Sequence, residues 1–199
     1  MLVIIPLLLG TIACGLQLVQ SMQTIQLARD AGRMYARRLD FGQPGNQTIL
    51  ANLGADLGLH IDGTGNAVVI LSTVKYMDRT ICPTGLAACG NYQQWVFAQR
   101  LTIGNKNYRT SGLGSPLTAG PGKVTMDAAG NIADADQRNN SNDRAYFNAV
   151  GNPFVNALDT GVLKDLPSGQ ILYISEAASK GFTMAPYATG GTLYAYNVF

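Results

Sequence analysis

The first 28 residues contain no charged side chain. Within them, Met1–Val19 (MLVIIPLLLGTIACGLQLV) is about as long as a helix must be to cross the hydrocarbon core of a bilayer. Twelve of these nineteen residues are Met, Leu, Ile or Val. At roughly 1.5–3 kcal/mol for each buried aliphatic side chain, leaving them in water costs on the order of 18–36 kcal/mol. That exceeds the stability of an ordinary domain. This stretch is therefore expected in lipid, or in a core supplied by other copies of the chain.

The apolar run passes into a helical pattern rather than a turn. In SMQTIQLARDAGRMYARRLDF, Met22, Ile25, Ala28, Ala31, Gly32, Tyr35 and Leu39 recur every three or four residues, while Arg29, Arg33 and Arg37 repeat every four on another face. Asp30 is placed to pair weakly with Arg33 at i+3. Gly42 and Pro44 supply a stop. The pattern predicts one helix from near Leu2 to about Asp40, roughly 60 Å long. Its first half is apolar all round and its second half amphipathic. Pro6 removes a main-chain donor and is expected to kink or loosen the first half.

Composition narrows the rest. Charged residues make up 13% of the 199 residues, against about 25% in a typical soluble domain. A net charge of +2 gives no polyanion-binding signal, so nucleic acid is not an expected partner. Low charge with many Gly, Asn and Thr suggests a β-rich extracellular surface rather than a cytosolic enzyme. Cys82 and Cys89 flank the segment PTGLAA, and a disulfide, a metal site or two free thiols are the alternatives. With one distant His the ligand set for zinc is incomplete. A Cys82–Cys89 bridge is the expectation, and it implies an oxidising, extracytoplasmic location. Cys14 reads as a small core hydrophobe.

After the rod, Asn46 is placed to cap a short helix running through about Leu57 and ending at Gly58. Asn66–Met77 and Gln94–Ile103 read as strands, with the cysteine loop at the tip of the hairpin they form. Weaker strands are expected at Lys123–Met126, Gly169–Ser175 and Thr192–Phe199, and a short helix within Asn152–Leu166. Asp127–Asp143 reads as a polar surface loop. The fold class is α+β: residues 1–41 form a transmembrane or filament-core helix, and residues 42–199 a β-rich head whose antiparallel sheet packs on the second half of that helix.

Signals of catalysis or cofactor binding are weak. His60, in GLHIDGTG, has no local nucleophile to serve. No nucleotide-binding glycine motif is present. Asp134, Asp136, Asn139, Asn140 and Asp143 cluster in one loop, and oxygen-rich loops bind Ca²⁺, but the spacing departs from an EF-hand. A solvated loop with no metal site, no cofactor and no enzymatic activity is the expectation.

The N-terminal segment resembles TadE-like proteins, the pilins and pseudopilins of tight-adherence (type IV-like) pili. The resemblance rests on Pro6-Leu7-Leu8-Leu9-Gly10 within the apolar run and on Ala28-Arg29-Asp30-Ala31-Gly32-Arg33-Met34-Tyr35-Ala36, which matches an A-R-x-(A/G)-x-R-Y-A-like signature. It covers about 40 residues, with a loose echo in the β-rich remainder. One departure is that prepilins carry a Glu shortly after their processing site, whereas no acidic residue precedes Asp30 here.

The resemblance implies a subunit of an extracellular filament, used for adhesion or surface attachment. Before assembly it would be held in the inner membrane by one helix and handled by a pilus assembly machinery. Identical subunits would then pack as a helical homopolymer through Leu2, Ile5, Leu8, Leu9, Ile12, Leu16 and Val19. Arg29, Arg33, Tyr35 and Arg37 are candidates for contacts between subunits. The positive-inside rule would put the four arginines of Arg29–Asp40 in the cytoplasm, while the cysteine pair and low-charge head argue for outside, which is the orientation expected. The competing expectation is a membrane-anchored minor pseudopilin or a lipoprotein. For the lipoprotein, Thr11-Ile12-Ala13-Cys14 is a loose lipidation signal. No basic segment precedes Leu2, which argues against a cleaved secretory signal.

Overall fold

A computed structural model describes residues 4–145, 171–186 and 188–199. The protein is α+β, with a long N-terminal helix and a four-stranded antiparallel sheet. Helix α1 spans Ile4–Ala36, about 50 Å at 1.5 Å per residue. It runs through Pro6 without interruption, because proline in a first helical turn removes a donor that has little use there.

The helix stops four residues before the expected Asp40. Arg38 takes a left-handed conformation at φ +63°. Its N–H donates to Tyr35 O at 2.9 Å, and the next N–H, of Leu39, donates to Met34 O at 3.1 Å. This pair of bonds closes the last carbonyls as a Schellman motif. Glycine usually fills that position, so an arginine there leaves little trace in the sequence. Pro44 then opens α2 (Pro44–Leu53) as its first residue. Asn46 is not the cap; its amide donates instead to Asp40 O at 2.7 Å. A single 3-10 turn, Ala55–Leu57, follows and ends at Gly58.

The strands are β1 (Ala67–Tyr76), β2 (Trp95–Gly104), β3 (Ile171–Lys180) and β4 (Thr192–Val198), in the order β2-β1-β3-β4. The two expected long strands and the C-terminal one are present. β3 reaches five residues beyond the expected Ser175, while Gly169 and Gln170 lie outside the described residues. So does the helix expected within Asn152–Leu166. Lys123–Met126 forms no strand, only an isolated bridge from Met126 to Ile132.

The chain divides into two compact units. The first comprises residues 1–70, 102–109 and 175–199, and the second 71–101 and 110–174. Residues 42–199 are divided between the two units, and α1 shares the first with segments of the sheet. In that unit the second half of α1 lies against β4, burying Leu27, Ala28, Ala31, Gly32 and Tyr35. Val68, Ile70 and Ala178 form a buried cluster lined by Tyr108 and Tyr194. Glu176 is also buried there and accepts a bond from the Tyr194 hydroxyl. Gly104 ends β2 at φ +93°, where a Cβ would run into Ala67 O and Leu59.

In the second unit, Met77, Cys82, Cys89 and Val96 pack together, flanked by Ile81, Ala88 and Tyr92. Cys82 and Cys89 are joined as a disulfide, at the tip of the β1–β2 hairpin as expected. Asp127–Asp143 departs from a featureless loop. It holds helix α3 (Asp134–Asn139) and a 3-10 turn at Ser141–Asp143. Asn91 anchors the segment, its side-chain amide donating to Gln137 O at 3.0 Å and Asn140 O at 2.9 Å. Asp143 is fully buried rather than solvated.

Candidate functional site

The first two-thirds of α1 expose what a folded chain normally hides. Ile4, Ile5, Leu7, Leu8, Ile12, Leu16, Leu18, Val19, Met22 and Ile25 are all exposed, Leu7 by 68% of its surface. An 18-residue window of the helix has mean hydropathy 1.7 and is only 6% buried. The core helix of a soluble protein would be hydrophobic and covered. Here most of the apolar surface faces outward, with Ala13 buried and Leu9 half-buried, as in a segment meant for lipid or for other helices.

Of the expected packing residues, Ile5, Leu8, Ile12, Leu16 and Val19 are exposed and Leu9 is half-buried. Leu2 lies outside the described residues. Cys14, read as a core residue, is exposed on the helix, because this part of α1 has almost no core to enter.

The character of α1 changes near Thr24. Thr24 Oγ1 donates to Gln20 O within the helix and lies 2.7 Å from the Ser179 hydroxyl, a buried contact. Four residues on, Ser175 Oγ donates to Ala28 O. Gly32 completes the same line, since a Cβ there would overlap the Phe199 ring and the Ser175 hydroxyl. Thr24, Ala28 and Gly32 are thus small residues at i, i+4 and i+8, which lets the helix approach the sheet closely. Periodicity in the sequence marked Ala28 and Gly32 as facing inward. It gave no sign that two serines of a strand would bond across to the helix.

Arg29, Arg33 and Arg37 are exposed, and Arg33 lies 4.0 Å from Asp30, both side chains being more than half exposed. Such a surface pair contributes little stability, so these cations remain available at the outer face of α1. Tyr35 is not with them. It is taken into the core of its own chain, its ring 6.4 Å from that of Phe41. His60 is exposed in its turn, 3.4 Å from the Thr64 hydroxyl.

No protein-family model, curated protein or solved structure matches the chain.

Proposed function

We propose that this protein is a TadE-like pilin subunit, which polymerises through its N-terminal helix into an extracellular type IV-like filament serving surface attachment. The observation that carries the reading is the division of α1: a largely exposed apolar stretch before Thr24, with Ala13 buried in it, and a stretch after it docked on the sheet. In the membrane the bare part would be covered by lipid, and in the filament by the same part of neighbouring copies. Head-to-tail contacts that do not close generate a helical polymer. The free faces of Arg29, Arg33 and Arg37 would then meet adjacent subunits. A disulfide in the head suits the oxidising exterior.

The test is electron microscopy of material sheared from native cells, with mass spectrometry of its main band and N-terminus. Uniform filaments built of this chain support the proposal. A chain absent from the sheared fraction and retained in membranes sinks it. A second reading, an anchored minor pseudopilin or a lipoprotein, draws on the exposure of Cys14 at the end of Thr11-Ile12-Ala13-Cys14. A chain rare in sheared material, or lipidated at Cys14, would favour that reading.

A further inference from the structure

Asp143 is 0% exposed, and neither of its carboxylate oxygens has a hydrogen-bond partner among the described residues. Burying an ionised carboxylate is costly unless a counter-charge or donors meet it. The two cations nearest in sequence are committed elsewhere. Arg138 donates to Ile81 O, and Arg144 donates to the Asn91 side chain and to Gly90 O. Asn140 links Asp143 to another carboxylate, Asp136: its main-chain oxygen accepts from Asp143 N at 3.0 Å and its side-chain amide donates to Asp136 Oδ1, and the Asp136 charge acts on Asp143. One oxygen of Asp136 accepts from Thr125 N at 2.7 Å, while the other has only a long bond, 3.3 Å, from the Asn140 amide. Two acids are therefore brought together, one of them buried without a donor among the described residues.

We propose that Asp143 and Asp136 form a binding site for one divalent cation, specifically Ca²⁺. Two carboxylates supply the two negative charges that a divalent ion neutralises. The segment 110–145 contains no His or Cys, so its donors are oxygens, which suit a hard cation. Ca²⁺ tolerates an irregular oxygen shell that takes main-chain and amide carbonyls beside carboxylates, whereas Mg²⁺ demands near-ideal octahedral geometry. Among the described residues no third carboxylate joins the pair. That places the affinity at the weak end of the scale, about 0.1–1 mM, where extracellular Ca²⁺ modules lie. The ion would tie the turn at Ser141–Asp143 to α3. This inference is independent of the filament reading.

The test uses the full chain in detergent at pH 7.5, stripped with EDTA, with CaCl₂, MgCl₂ or NaCl added at matched ionic strength. Near 10 mM CaCl₂ the unfolding midpoint of the wild type is expected to rise by about 3–10 °C, with a smaller rise in MgCl₂. Equilibrium dialysis should find one Ca²⁺ per chain. Asp143→Asn should remove both effects, and Asp134→Asn, at an exposed position of α3, should keep them. A wild type that neither takes up Ca²⁺ nor shifts overturns the proposal. So does a folded Asp143→Asn chain that still binds the ion. Dialysis of the wild type decides the matter even if that variant fails to fold.

Discussion

The hydroxyl of Ser175 donates to the carbonyl oxygen of Ala28 at 2.6 Å, and both groups are buried. A strand thereby takes hold of a helix by a main-chain oxygen that α1 already uses. The contact is possible because position 32, one turn further on, has no side chain. Gly32→Val would press on the Ser175 hydroxyl and the Phe199 ring together, an overpacking that costs about 1–3 kcal/mol. Ser175→Ala, which leaves Ala28 O its helical bond, should cost about 1 kcal/mol. Thermal unfolding of the two variants in detergent checks the order. Equal or reversed losses would mean that the close approach at Gly32 does not carry the seam.

The disulfide should matter mostly within its own unit. Cys82 and Cys89 are buried beside Met77 and Val96, and the bridge closes a loop with a sequence separation of 7. Closing so short a loop in the unfolded chain contributes roughly 2.5 kcal/mol in the entropy model. Cys82→Ser with Cys89→Ser should lose about that much and add the burial of two hydroxyls. Hydrogen exchange should show the loss first at Met77–Val96. Uniform loss of protection over the whole chain would contradict a local role.

How much of this was legible in the sequence follows from which interactions are local. The rod, the hairpin of β1 and β2, the C-terminal strand and the cysteine pair depend on short-range periodicity or on residues close in the chain, and these were readable. α1 ends short of the expected Asp40 because Arg38 adopts a conformation that its side chain does not advertise. The Asp127–Asp143 segment departs from the expected loop because Asn91, 46 and 49 residues from Gln137 and Asn140, organises it. No local pattern records such a bond. In the candidate site, the apolar face was plain from composition. Tyr35, a candidate for contacts between subunits, is in register with the helix stripe and buried in its own chain.

Asp143 makes the stability of the metal-free chain depend on pH in an unusual sense. Burial, helped by the charge of Asp136, pushes its carboxyl from 3.8 up to about 8. The folded state therefore holds this proton where the unfolded state has lost it. Its contribution is fully present below about pH 4 and is lost as pH rises towards 8, by at most roughly 1.4 kcal/mol per pH unit. Asp136 acts oppositely and weakly, since the Thr125 N–H holds its carboxyl below the ordinary value. In EDTA, midpoints measured from pH 4 to 9 should fall for the wild type, with a shallower fall for Asp143→Asn. The variant should be the more stable of the two at pH 8. Parallel curves would show that Asp143 is not held protonated in the folded chain.

The bare part of α1 gives the sharpest test of assembly. Leu8 and Ile12 are 56% and 46% exposed and lie one helical turn apart, so each offers the same stretch of surface to whatever covers it. An arginine at the centre of a membrane helix costs about 2.5–3.5 kcal/mol on insertion scales. The apolar side chains of the run outweigh that several-fold, so Leu8→Arg or Ile12→Arg should still leave the chain in the membrane fraction. In a polymer the same charge would be buried without a partner in every copy, a penalty repeated along the filament. Either variant should therefore abolish filaments in sheared material while the Cys82–Cys89 disulfide still forms and the remainder still unfolds cooperatively. Filaments at wild-type abundance from either variant would show that this face is not what holds copies together. The apolar helix would then be an anchor alone.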